Sequence, residues 1–326
     1  MKSTEPERMP LLASPEPISG QMPADLLSRL PAQPPTTAPS GAGDSAGGKL
    51  TAKREPTRVL RRKEWATPAT AVKRELIFEQ PGEDTGRPPV LFVPGLRHGA
   101  WCFAENWLER TAERGFPAYA MSLRGHGNSG GADLRGRTTL ADYVHDVMQV
   151  AASLPHRAVL VGHGVGGLVV AQVLARYPAH AGVLVAPVIQ GWRTLGSALL
   201  RHPFGTLPGA VGLSVGLRGG QLYSRGVPRD AVRRYRSRLD RSAPRVQYQT
   251  LLRRRLEPAL PGTPVLVVGS PQDRLVSQRA LQKVASRYGT EPLLFPGMGH
   301  NLMLDARWVE PIDAILDWLP TVASRG

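Results

Sequence analysis

Five residues, Gly162-His163-Gly164-Val165-Gly166, have the spacing of a G-x-S-x-G nucleophile elbow, with glycine where the serine would stand. Such an elbow lifts a hydroxyl out of a sharp strand-to-helix turn so that a neighbouring imidazole can take its proton. The turn is strained, and its flanks accept only small side chains. Directly before it, Arg157-Ala158-Val159-Leu160-Val161 reads as a fully buried strand. Directly after it, Gly167 to Tyr177 reads as a helix rich in small residues. That context separates an elbow from a chance glycine pattern. Glycine has no atom with which to attack, so ordinary serine chemistry is not expected here.

The elements that must position this turn follow from the pattern of apolar residues. Glu75 to Glu79 reads as an early strand and Pro89 to Val93 as a buried one ending at Pro94-Gly95. Phe103 to Arg114 carries Trp107, Leu108 and Ala112 at helical spacing, and Gly115 is placed to end it. Ala118 to Leu123 is the next strand, and Leu140 to Leu154 the helix that leads into the elbow. Gly182 to Pro187, Pro264 to Gly269 and Pro292 to Phe295 are further short apolar strands, and Trp308 to Leu319 is a closing helix. Short apolar strands alternating with helices imply an α/β fold, a mostly parallel sheet covered by helices on both faces.

Composition bounds the rest. The chain has 326 residues, room for one domain of about 250 residues and an appendage. Nine prolines fall in the first forty positions and the first aromatic residue is Trp65. Residues 1–64 are therefore expected to form a disordered tail, and residues 65–322 the folded domain. Glu5, Glu7 and Pro10 interrupt any secretory signal. No run of about 18 apolar residues implies a membrane span. The single Cys102 excludes an intramolecular disulfide and suits a reducing compartment, with cytoplasm as the default. The net charge is +15, but 35 of the 41 basic residues are arginine. No zinc-ligand spacing, aromatic RNA-binding run or helix-turn-helix pattern accompanies that charge, so no specific nucleic-acid partner is expected. No cofactor or metal motif is present, and the expected partner is a small-molecule substrate or ligand.

Three collinear segments carry a family resemblance: Val93-Pro94-Gly95-Leu96-Arg97-His98-Gly99-Ala100-Trp101, Leu123-Arg124-Gly125-His126-Gly127-Asn128-Ser129, and Phe295-Pro296-Gly297-Met298-Gly299-His300. With the elbow between them, residues from about 85 to 322 resemble the α/β-hydrolase fold, in particular its small bacterial esterase-like members. The resemblance implies a catalytic histidine at His300 and its acid at Asp273, past the strand Pro264 to Gly269. Asp305 is a weaker candidate for the acid and is expected to cap the final helix. By the same resemblance the oxyanion donors are the backbone N–H groups of Leu96 and Val165, and Gly164 holds the nucleophile's position. Pro94 replaces the histidine that commonly precedes the glycine of the oxyanion turn. His163 is expected to point away from the site, Cys102 to be a buried inert thiol, and Ser129 a hydrogen-bonded turn residue.

A cap is expected over residues 188–260. Between Pro187 and Pro261 lie fourteen arginines against Asp230, Asp240 and Glu257. This charge would favour an anionic ligand if it faced the pocket, and is otherwise a solvated helical face. Leu199, Leu200, Val211, Leu213, Val215 and Leu217 are expected to supply apolar lining or cap core. Two functions remain open. His300 and Asp273 can act as a general base towards a small ester- or carbonyl-type substrate, or the pocket can hold a ligand without breaking it, as a pseudoenzyme.

Overall fold

The computed structural model describes residues 69–189, 219–251 and 256–323, and the residues from Val72 onward belong to one compact unit. The proposed tail over residues 1–64 lies outside the described residues.

Seven strands form one sheet. In chain order they are β1 (Leu76–Glu79), β2 (Val90–Val93), β3 (Ala118–Met121), β4 (Val159–His163), β5 (Ala181–Val185), β6 (Val265–Gly269) and β7 (Leu293–Leu294). Their order across the sheet is β1-β3-β2-β4-β5-β6-β7. Only β1 runs antiparallel, against β3, and every other pairing is parallel. The sheet is therefore of the expected mostly parallel type. β2, β4 and β5 are buried at every position, which is why their sequences are continuous apolar runs rather than alternating ones.

The chain turns back on the sheet between β3 and β4, which lie on opposite sides of β2. Ligands bind at such a switch point, beyond the carboxyl ends of the strands. β4 pairs with β2 on one side, Val93 opposite Gly162, and with β5 on the other, His163 opposite Val185. The elbow thus leaves the sheet at its centre.

The helices are α1 (Trp101–Ala104), α2 (Trp107–Glu113), α3 (Leu140–Ser153), α4 (Val165–Leu174), α5 (Gly219–Leu222), α6 (Arg229–Ser237), α7 (Pro244–Leu251), α8 (Gln278–Ala285) and α9 (Val309–Ala323). Where one helix over Phe103 to Arg114 was expected, the chain makes two. Asn106, at φ −148°, breaks the run, and its side-chain amide donates to the Met303 carbonyl at 3.0 Å. The break lets Trp101, Cys102 and Phe103 bury on one side of it and Trp107 and Leu108 on the other. Thr139 and Asp142 close a reciprocal capping box that fixes the start of α3.

The Leu123-to-Ser129 segment is held by a buried ion pair. Arg124 Nε and one terminal nitrogen reach the two oxygens of Asp146, on α3, at 2.7 and 2.6 Å. Asp146 is fully buried and Arg124 nearly so. Removing one partner of such a pair strands the other charge. Asp146→Ala is accordingly expected to cost about 3–5 kcal/mol, read as a lowered midpoint in urea unfolding. A change under about 1 kcal/mol would show that Arg124 finds water or another acceptor.

Candidate functional site

β4 passes through a sharp turn at Gly164 directly into α4. Gly164 has φ 56° and ψ −118° and sits at the N-cap of α4. A non-glycine residue held in such a region costs of order 1–3 kcal/mol, whereas glycine adopts it freely. The flanks are packed to contact. A side-chain carbon on Gly166 would lie 2.4 Å from the carbonyl oxygens of Val93 and Pro94, so the elbow and the end of β2 meet backbone to backbone. Gly164 N–H donates to Val185 O at 2.9 Å, and its carbonyl accepts from Val188 N–H at 2.9 Å, which ties the turn to β5.

His300 faces this turn. A side-chain carbon on Gly164 would sit 3.3 Å from His300 Nε2 and 3.8 Å from Gly95 Cα, so a hydroxyl one bond further would be within hydrogen-bond reach of the imidazole. His300 Nδ1 lies 2.8 Å from Asp273 Oδ2. Asp273 Oδ1 accepts from the N–H groups of Leu275 and Val276 at 2.7 and 3.1 Å. A carboxylate held this way accepts only, so Nδ1 carries a proton, and in the neutral ring Nε2 is then the acceptor that faces Gly164. His300, Asp273 and Gly164, which resemblance assigns to one site, do converge.

The turn at the end of β2 lies against them. His98 N–H donates to Gly95 O at 3.2 Å and Arg97 stands at φ 69°, so Gly95 to His98 form a tight turn around Leu96. Val165 is the first residue of α4, and its N–H has no partner within the helix. Pro94 stands at the start of this turn without breaking it, since the turn's own bonds come from Gly95 and His98.

Other expectations are corrected. Asp305 does not cap the final helix, α9, which starts at Val309; it closes the 3-10 turn Leu302–Leu304. Its Oδ2 accepts from Gly299 N–H at 2.9 Å and from Ser224 N–H at 3.2 Å, and its Oδ1 from the Ser224 hydroxyl at 3.0 Å. It pins the loop of His300 to the residues after α5. His163 does not point away. Its ring centroid is 4.8 Å from that of His300, and its Nε2–H donates to the His300 carbonyl at 3.1 Å. His163 is the last residue of β4, directly before Gly164, and its ring lies against the histidine loop.

Cys102 is buried, and burial pushes its thiol well above the usual range, which leaves it protonated and inert. The Ser129 hydroxyl donates to Ser122 O at 2.7 Å and accepts from Glu75 N–H at 2.9 Å, a turn role away from His300. The eight arginines from Arg225 to Arg245 are all exposed, so the described part of the cap presents its charge to solvent. Arg234 and Arg238 pair with Glu105, and Arg238 also covers the Trp101 ring at 4.5 Å. Residues 190–218 and 252–255, with the six apolar positions expected to line the cap, lie outside the described residues. Among the described residues no group of three or more His, Cys, Asp or Glu side chains is placed to hold a metal ion.

Sequence reasoning assigned no task to three residues that close the site. Asp240, from the cap, exchanges two bonds with Arg97: its N–H donates to Arg97 O at 2.8 Å and its carbonyl accepts from Arg97 Nε at 2.8 Å. Its carboxylate takes Gly127 N–H at 2.7 Å, which joins the cap to the Gly125-His126-Gly127 turn. His98 and Asn301 meet at 3.1 Å, Asn301 Nδ2 to His98 Nε2. No local spacing signals these contacts, because each joins segments more than a hundred residues apart.

Burial lowers the His98 pKa from its ordinary 6.5 to about 4. The unfolded chain therefore binds the proton at a pH where the folded protein does not. Stability is expected to fall as pH drops from about 6.5 to about 4, by on the order of 3 kcal/mol from this group. Urea midpoints across that window should show a steeper slope for the native chain than for His98→Asn. Equal slopes would mean that His98 takes up its proton without loss of the fold.

Comparison with known proteins places this geometry. The model of the alpha/beta hydrolase family matches residues 90–314, which is more than half of the chain. Methylesterase 3 of Arabidopsis thaliana is 32% identical over 107 residues, 32% of this chain and 40% of that protein. Mouse protein phosphatase methylesterase 1 is 25% identical over 178 residues, 51% of this chain and 46% of that protein. The matched region thus spans less than half the length of either relative. Among solved structures, the monoacylglycerol lipase of Paleococcus ferrophilus superposes with a TM-score of 0.59 at 22% identity, covering 77% of this chain and 99% of that one. That likeness concerns the fold. With the sheet order, the elbow backbone and the family model in agreement, the chain belongs to the alpha/beta hydrolase family.

Proposed function

We propose that the protein uses His300 and Asp273 as a general-base pair, without a covalent nucleophile, on a small ester- or carbonyl-type substrate. One observation carries this reading: His300 Nε2 faces the Gly164 position while Nδ1 is held by Asp273. In the hydrolytic form of the reaction, Nε2 takes a proton from a water beside Gly164. The water oxygen bonds to the substrate carbonyl carbon, and the resulting oxyanion is met by the N–H groups of Leu96 and Val165. Collapse breaks the bond to the leaving alkoxide, which takes the proton back from Nε2. The names of the relatives, methylesterases and a monoacylglycerol lipase, support an ester as the substrate class.

Loss of the nucleophile in serine hydrolases costs about a millionfold, roughly 8 kcal/mol of barrier. Oxyanion donors and substrate positioning alone leave roughly 10³–10⁴-fold acceleration over water. The activity proposed here is therefore slow, with no acyl-enzyme burst. The solvated cap arginines give an anionic substrate no evident partner among the described residues, so an uncharged ester suits the site equally well. The reducing environment suited to the lone Cys102 supports a cytoplasmic setting. Among the described residues, no helix is long and apolar enough to cross a membrane.

The second reading, a binding module that holds its ligand unchanged, is favoured by Gly164 itself. His300→Ala separates the two. Turnover of short acyl esters by the native chain is expected to fall at least a hundredfold in the variant, with ligand affinity changed less than threefold. Turnover absent from the native chain, with ligand binding kept in both, would favour the binding module.

A further expectation concerns Gly164→Ser. The native protein is expected to take no fluorophosphonate label, and the variant to take it and to turn over short acyl esters faster than the native chain, with an acyl-enzyme burst. The variant should also lose about 1–3 kcal/mol of stability, because serine must adopt the positive φ. Labelling of the native chain would reveal another nucleophile.

A further inference from the structure

We infer that Asn301 and His98 are positioning residues, a hydrogen-bonded pair that sets the oxyanion turn in register with His300. The inference rests on the general-base reading of the site.

His98 grips the turn twice. Its backbone N–H donates to Gly95 O at 3.2 Å, and its ring Nδ1 lies 3.1 Å from Leu96 O. Gly95 C=O and Leu96 N–H are two ends of one planar peptide, so fixing the oxygen fixes the direction in which the Leu96 N–H points. The Leu96 carbonyl can only accept, and therefore Nδ1 carries the ring proton. In the neutral ring Nε2 must then accept, and Asn301 must present its NH₂ group. The opposite amide orientation would set the Asn301 oxygen against a lone pair. Burial keeps His98 neutral until about pH 4, so one arrangement holds across the working range.

Asn301 is fully buried and follows His300 directly. Its backbone N–H donates to Leu222 O of α5 at 2.9 Å, and the next residue, Leu302, bonds back to His300 O at 3.1 Å. One side chain therefore joins the turn that carries Leu96 to the loop that carries the base, while its backbone joins that loop to the cap. A displacement of about 1 Å between a base and its oxyanion donors costs up to a hundredfold in rate, which is the kind of error this contact prevents.

The test uses the full chain carrying Gly164→Ser, assayed with a short acyl ester. Asn301→Leu and His98→Asn both cut the link, the second leaving an amide where Nδ1–H was. Each is expected to lower kcat tenfold or more with KM within twofold. His98→Gln places an amide oxygen at the Nε2 position and keeps the link. It is expected to retain kcat within threefold. A kcat within twofold for Asn301→Leu, or equal losses in all three variants, would overturn the inference. If the Gly164→Ser chain takes no fluorophosphonate label, the proposed catalytic set fails as a whole. The pair is then read in the native protein by NMR, from hydrogen exchange of the His300 Nδ1–H proton bound to Asp273. His98→Asn is expected to speed that exchange at least tenfold, whereas unchanged exchange overturns the inference. Should His98→Asn not fold, Asn301→Leu gives the same exchange readout.

Discussion

The site depends on a carboxylate with nowhere else to turn. Asp273 leaves β6 through a short turn, and two N–H groups of Leu275 and Val276 occupy one of its oxygens. The other oxygen is committed to His300 Nδ1. An acceptor fixed in this manner chooses the tautomer of its partner, and the tautomer decides that Nε2 has a lone pair rather than a proton. The ring is then steadied from below by His163, through contact at 4.8 Å and a bond to the His300 carbonyl. The imidazole is held in this orientation whether or not a hydroxyl stands in front of it.

The elbow owes its shape to packing more than to catalysis. Gly166 is pressed against the backbone of β2, and Gly162 against the Gly166 carbonyl, where a side-chain carbon would also lie at 2.4 Å. Both positions exclude a side chain for reasons of contact alone. Glycine at 164 then relieves the backbone strain that a serine would have to carry. The turn after β2 and the start of α4 thus pack around a residue that carries no side chain. In the proposed reaction, turnover draws on His300 and on the N–H groups of Leu96 and Val165.

Charge is handled separately from chemistry. The formal excess of positive charge is concentrated in the segment between β5 and β6, yet its described arginines face solvent and two of them settle on Glu105. The one deeply buried arginine that the motifs flagged, Arg124, is paired with Asp146 and holds a turn. Asp240, with a single carboxylate and its backbone, does more to connect cap and site than the arginines around it.

The strands and the elbow were legible in the sequence because their signals are local. A run such as Val90 to Val93 is apolar at every position, since both faces of a central parallel strand are covered. The glycines at 162 and 166 mark the turn for a steric reason that a nearby backbone imposes. The break at Asn106, the turning of His163 under His300 and the use of Asp305 were not legible. Each is settled by an atom that folding brings from far along the chain: Met303 O, His300 O and Gly299 N. The amino-acid sequence alone determined that a strand–turn–helix would carry glycine at its turn, because side-chain identity at one position needs no fold to be read. Only the tertiary structure decided that the His300 imidazole, its Nδ1 against Asp273, faces that glycine, and that His98 and Asn301 meet beside it. Hydrogen-bond direction depends on which partners become neighbours, and chain order does not encode neighbours.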